Sequence, residues 1–330
     1  MPGETKMLAI IRTTNPIPRM SSAVLSLKIS KIEAAVFFIR TCFSLLFCLL
    51  FVYKNVNILG KRCQKFFNKT IRVMKKCTPS FKDLWVWSPL LIFAILLAVI
   101  HLTGINARLF LFFNKAHTLT GDRFWAIITL FGDGLFAAVL LFPFLKKRPD
   151  IIWSVLIASF FYMIILHSMK RIMDIPRPAG ILSYDSIHII DWRLTKHAFP
   201  SGHTTTIFTL MGVIAFSFRK NSIYIWSIIF TLLVGFSRIA VGAHWPGDVL
   251  GGAMLGWFCA WVGVSLADRS RWGYSRTSQI IYGIVLLICT VDLLVLYNTH
   301  YPLADPAKWI IGFVCLIFGL IEFYKILFKK

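Results

Sequence analysis

Three short segments of this chain carry residues able to handle a phosphoryl group. The first runs from Lys170 to Arg177-Pro178, the second is Pro200-Ser201-Gly202-His203, and the third holds Ser237-Arg238, His244 and Asp248. Lys170, Arg177 and Arg238 offer fixed positive charge, and an arginine can grip two phosphate oxygens in one fork. Ser201 and Gly202 stand just before an apolar run. Their N–H groups, the hydroxyl and a helix dipole would favour an anion there. His244 and Asp248 are four apart, and Pro246 between them suits a first helical turn. A carboxylate one turn on would accept Nδ1–H and fix the tautomer, leaving Nε2 of His244 free to attack phosphorus. His203 would remain to protonate the leaving oxygen and then activate water.

Such residues need elements that bring them to one place, and the composition says what those elements are. Hydrophobic residues make up 57% of 330 and charged residues 15%, with a mean hydropathy of +0.72. A soluble domain could not cover that apolar surface, so the chain falls in the membrane class. Eight runs approach the roughly 20 residues a helix needs to cross a bilayer. They are about 88–104, 125–145, 151–169, 203–218, 222–242, 247–267, 279–297 and 308–326. None alternates with period two, so all are expected to be helices.

The formal charge of +22 sits mostly in short loops. That pattern suits topology and anionic lipid headgroups, and no nucleic-acid motif accompanies it. Lys146-Lys147-Arg148, Arg219-Lys220, Arg269, Arg271 and Arg276, and Lys325, Lys329 and Lys330 recur at one side of the alternating runs. The positive-inside rule puts that side in the cytoplasm. The segments 105–124, 170–202, 243–246 and 298–307 then face outward, in a bacterium to the periplasm. All three chemical clusters fall there.

Residues 35–53 form a ninth apolar run, interrupted by Arg40. No small-residue cleavage site follows it, so a cleavable signal is not expected. It could span, lie in the interface or re-enter. The stretch 54–84 reads equally as a basic amphipathic segment on the inner leaflet or as a cytoplasmic tail. Cys42, Cys48, Cys259, Cys289 and Cys315 lie in apolar runs, and Cys63 and Cys77 in the basic stretch, so no disulfide framework is expected. No Cys-x-x-Cys or His-rich tract suggests zinc, and no cofactor is implied.

Taken singly, each feature has an ordinary explanation. A cation at a membrane helix end is usually a snorkelling anchor, Pro-Ser-Gly is usually a helix start, and a histidine near a helix end is more often structural. Their convergence on one face is what those explanations do not supply. At these residues the chain resembles the type 2 phosphatidic acid phosphatase (PAP2) superfamily. That superfamily carries Lys-x6-Arg-Pro, Pro-Ser-Gly-His and Ser-Arg-x5-His-x3-Asp in this order. Lys170 to Pro178, residues 200–203, and Ser237-Arg238 with His244 and Asp248 fill all three.

The resemblance implies an all-α polytopic bundle with a six-helix core and a metal-independent lipid phosphatase. It implies a phosphohistidine on His244 with Asp248 as its partner and His203 as acid and base. Phosphate binding falls to Lys170, Arg177, Ser201, Gly202 and Arg238. The chain then divides into a basic region, 1–85, a six-helix phosphatase core, 86–268, and two additional transmembrane helices, 269–330. The substrates implied are lipid A, undecaprenyl pyrophosphate or phosphatidylglycerophosphate, met at the outer face of a bacterial inner membrane among membrane lipids.

Two rival readings stand. One is a phosphotransferase with the same site and a second lipid in place of water. The other is a transporter or scaffold, which would be expected to carry charge at mid-depth. A vanadium-dependent oxidation site fits the membrane setting poorly. Asp133, between Gly132 and Gly134, is expected to cap a break in the second run, and its alternative is a functional carboxylate. His167, one turn before Lys170, is expected to be packed and structural, with a place in the site as the alternative. In the loop 179–199, Asp185, Asp191, Arg193, Lys196 and His197 are expected to be solvated charges, with headgroup contact as the alternative.

Overall fold

A carboxylate starts the first helix: Asp83 accepts the N–H of Trp85 at 3.1 Å, and α1 runs Leu84–Thr103. After it come α2 (Asn106–Asn114), α3 (Asp122–Leu130), α4 (Gly134–Val139) and α5 (Pro149–Met173). The remaining longer helices are α6 (Gly202–Phe218), α7 (Asn221–Ala240), α8 (Pro246–Ala267), α9 (Arg276–Val295) and α10 (Asp305–Phe328), and single turns form at His117–Thr120 and Pro178–Ile181. This computed structural model describes residues 83–190, 193–270 and 272–328. The run 35–53 with Arg40, nearly all of the stretch 54–84, the four N-terminal cysteines, Asp191, Arg271, Lys329 and Lys330 lie outside the described residues. Among those described there is no strand, and Cys259 and Cys315 are free thiols.

All eight expected apolar runs of the main body are helical. Among the described residues six helices are long and apolar enough to cross a membrane, and α3 with the segment after it would add a seventh. That second run is not one straight helix but bends by 58° between Leu130 and Gly134. Asp133 caps the restart, accepting from the N–H groups of Leu135 and Phe136 at 2.9 and 3.0 Å. The break also brings Gly132 against α6, where a Cβ would stand 2.8 Å from Cβ of His203.

At 17 residues, α6 is shorter than a full span. It is nevertheless buried almost all round, which suits a helix enclosed by others. Thr204, Thr205 and Thr209 are tolerated inside because they find oxygen partners within the bundle. Glycines on α8 admit it closely. A Cβ at Gly252 would lie 2.6 Å from the Ser201 carbonyl, and one at Gly256 2.4 Å from that of Thr205. Gly263 does the same against Ser154 on α5. Small residues at such crossings are how apolar helices gain contact where lipid offers no hydrophobic drive.

Helices α9 and α10 pack on each other and against α4 and the turn Phe142–Phe144. The C-terminal ends of α1, α5, α7 and α9 and the N-terminal ends of α3, α6, α8 and α10 lie together. Gly247 donates to Asn106, Ser201 to the Asp248 carbonyl, and Arg238 to Tyr301. The opposite end gathers basic loop residues. There Arg148 pairs with Asp150 at 2.6 Å and Arg219 with Asp83 at 3.4 Å.

Candidate active site

The site is assembled from helix ends. At the close of α7, the Arg238 carbonyl accepts the N–H groups of Ala243 and His244 at 3.0 and 3.1 Å. The turn between them needs Gly242, whose φ is +79° and whose absent Cβ would meet the His188 carbonyl at 2.5 Å. His244 is thereby set directly before α8. Asp248, in the first turn of α8, reaches back with Oδ2 to the N–H of Trp245 at 2.9 Å. The same oxygen lies 3.3 Å from Nδ1 of His244. The pair is almost wholly buried, and its geometry leaves Nε2 as the free face of the ring.

Asp248 also joins two clusters, because its carbonyl accepts the N–H of Ser201 at 3.0 Å. That N–H is therefore spent. The donors the start of α6 can still offer an anion are first-turn N–H groups such as those of Gly202 and His203, which have no partner within the helix. Ser201 Oγ, fully buried, accepts from Thr204 at 3.0 Å. His203, half-buried, sits on the next turn position against Gly132.

The three cations are braced rather than loose. Lys170 donates to the His197 carbonyl at 2.7 Å. Arg177 donates from Nε to the Lys196 carbonyl at 3.0 Å and from Nη1 to that of Ala243 at 3.1 Å, so it steadies the residue before His244. Arg238 donates from Nη1 to Thr129 Oγ1 at 2.5 Å and to the Tyr301 hydroxyl at 2.8 Å. Its Nε is buried without a hydrogen-bond partner. Burial holds His244 well below the ordinary imidazole range, and the nearby charges of Arg177, Lys170 and Arg238 press the same way. A neutral ring is the nucleophilic form.

The structure thus brings Lys170, Arg177, Ser201, Gly202, His203, Arg238, His244 and Asp248 to one end of the bundle. The PAP2 superfamily profile matches residues 149–272, which contain every one of these residues. Undecaprenyl-diphosphatase BcrC of Bacillus subtilis is 30% identical over 143 residues, 42% of this chain and 71% of that protein. The chain belongs to the PAP2 superfamily.

Other superfamily relatives match as well. An undecaprenyl-diphosphatase of Sulfolobus acidocaldarius is 28% identical over 190 residues, 55% of this chain and 91% of its own length. A lipid A 4'-phosphatase of Bacteroides thetaiotaomicron is 24% identical over 178 residues, covering 51% and 79%. The chain is accordingly a multi-pass membrane protein of a lipid phosphatase family and a phosphoric ester hydrolase.

Several secondary expectations resolve in detail. His167 is exposed rather than packed, its Nδ1 bonded to the Met163 carbonyl one turn back. Asp185, Arg193, Lys196 and His197 are exposed, as expected of solvated loop charges. Two of them still have specific contacts. His197 pairs with Asp174 at 3.0 Å, and Arg193 donates to the Ala179 carbonyl at 2.9 Å. Beyond capping α4, Asp133 accepts from the Tyr297 hydroxyl at 2.5 Å. Thr129, Tyr297 and Tyr301 were not singled out from sequence. Two of them follow α9 in a segment that matches none of the three motifs.

Proposed function

We propose that this chain removes phosphate from a membrane lipid by way of a phosphohistidine on His244, at the outer face of a bacterial inner membrane. Lys170, Arg177, Arg238 and the start of α6 would hold the phosphoryl oxygens where negative charge is concentrated in the transition state. Nε2 of His244 bonds to phosphorus as the bond to the leaving oxygen breaks. His203 gives that oxygen a proton, then takes one from the water that attacks phosphorus and displaces His244. Inorganic phosphate leaves, and both rings return to their starting state. Asp248 keeps the Nδ1 proton in place and supports the ring while it carries charge.

The observation that carries this reading is the buried His244–Asp248 pair, 3.3 Å apart, beside Arg238 with an unpartnered Nε. The names of the relatives point to isoprenoid pyrophosphates and lipid A as substrate classes, and the resemblance adds phosphatidylglycerophosphate. The core would be 86–268, with 269–330 as an addition that reaches the site through Tyr301.

The test is phosphate release by purified protein in detergent with EDTA, offered each of these lipids, beside His244→Ala. Release from one lipid that persists in EDTA and falls at least about 10³-fold in the variant is expected. Equal release by the variant overturns the nucleophile. Transfer of phosphate to a second lipid without free phosphate would replace hydrolysis by phosphotransfer.

A further inference from the structure

A second cluster of ligating side chains lies at the same end of the bundle, outside the phosphate site. His117 and His188 stack face to face, with ring centroids 3.6 Å apart and planes 12° apart. Both rings address one carboxylate oxygen: Nε2 of His188 is 2.9 Å and Nδ1 of His117 3.8 Å from Oδ1 of Asp122. All three ligand atoms lie within 4.8 Å of one another. Two imidazoles and one carboxylate on a half-buried surface, with a side open to solvent, form a donor set for a borderline divalent transition ion.

From this geometry we infer that His117, Asp122 and His188 form an accessory site for a zinc-like divalent ion, separate from the catalytic centre. The 2.9 Å separation brings Asp122 and His188 within reach of one ion, but the two rings are stacked nearly parallel, so closure asks the His117 ring to turn out of the stack until its Nδ1 lone pair meets the ion at about 2.0–2.2 Å. The site is supported from behind. Asn114, buried, accepts the N–H of His188 at 2.8 Å and donates to its carbonyl at 2.9 Å. Such outer contacts orient a ligand before the ion arrives.

The same Asn114 amide donates to the carbonyls of Ile239 and Ala240 at 3.1 Å, at the end of α7. An ion here would therefore clasp the turn 117–122 to the loop around 188 and fix the backbone that leads to His244. Its role is to stiffen that end of the molecule, not to take part in the reaction, and phosphate release is expected to survive its removal.

The experiment uses the full chain, purified without a histidine tag, stripped with EDTA and titrated with Zn²⁺. One equivalent is expected to bind, to raise the melting temperature and to be lost in His117→Ala and Asp122→Asn. Retention of the same stoichiometry and affinity in both variants, or no binding by the parent protein, overturns the site. X-ray absorption on the zinc-loaded parent keeps the test independent of how the variants fold. A shell of imidazole nitrogen and carboxylate oxygen supports the assignment, and a shell of sulfur alone refutes it.

Discussion

Arg238 is held at one nitrogen and open at another. Thr129 and Tyr301 fix Nη1, while Nε is buried with no hydrogen-bond partner. A buried guanidinium that loses an acceptor is left with an unpaired donor, a cost of about 1.5–3 kcal/mol for a bond to a charged group. Tyr301→Phe keeps the ring and its packing and removes only the hydroxyl. Expected is a fall of about tenfold or more in kcat/KM, seen in kcat because Arg238 holds charge in the transition state, with weaker inhibition by free phosphate and a modestly lowered melting temperature. Unchanged phosphate inhibition would show that Tyr301 does not position Arg238. The residues of the three motifs were legible because their spacing along the chain is short and their chemistry distinctive. Tyr301 was not, because it reaches Arg238 across a sequence separation of 63 and carries no pattern of its own. His117 and His188 share that difficulty, since the fold alone stacks them.

At the scale of elements, the run pattern gave the right helices because a 20-residue apolar stretch in lipid has few alternatives to a helix. What it could not give was the interlock of α6 and α8, the two helices whose starts carry Ser201-His203 and His244-Asp248. Their approach depends on glycines rather than on bulk. A Cβ at Gly256 would stand 2.4 Å from the Thr205 carbonyl, a backbone atom that cannot swing aside. Gly256→Ala should therefore push the two starts apart and cost about 1–3 kcal/mol as overpacking. A lower melting temperature and a fall in kcat larger than any rise in KM are expected. Gly134→Ala is the control, because no atom lies within 4 Å of the Cβ it would add. If both variants behave alike, the close contact between α6 and α8 does not set the site.

The whole molecule has two unlike ends, and the orientation proposed for it rests on that difference. One end holds the site and the loop carrying Tyr184; the other holds Lys146, Lys147, Arg148, Arg219, Lys220 and Arg269 in short connections. Moving such cations across a bilayer is disfavoured, so the basic end should stay in the cytoplasm. The site end also carries exposed cations, Arg108, Lys115, Arg123, Arg171, Arg193 and Lys196, but they lie among Asp122, Asp174 and Asp185, while Lys170, Arg177 and Arg238 are bound to carbonyls and hydroxyls of the fold. In a background with the seven native cysteines replaced, Tyr184→Cys, at a position 66% exposed, should react with a membrane-impermeant maleimide in intact cells. Lys220→Cys, exposed at the other end, should react only after the membrane is opened. The reverse pattern would place the phosphate site in the cytoplasm. The lipid would then have to come from the inner leaflet, which would exclude any substrate confined to the outer one.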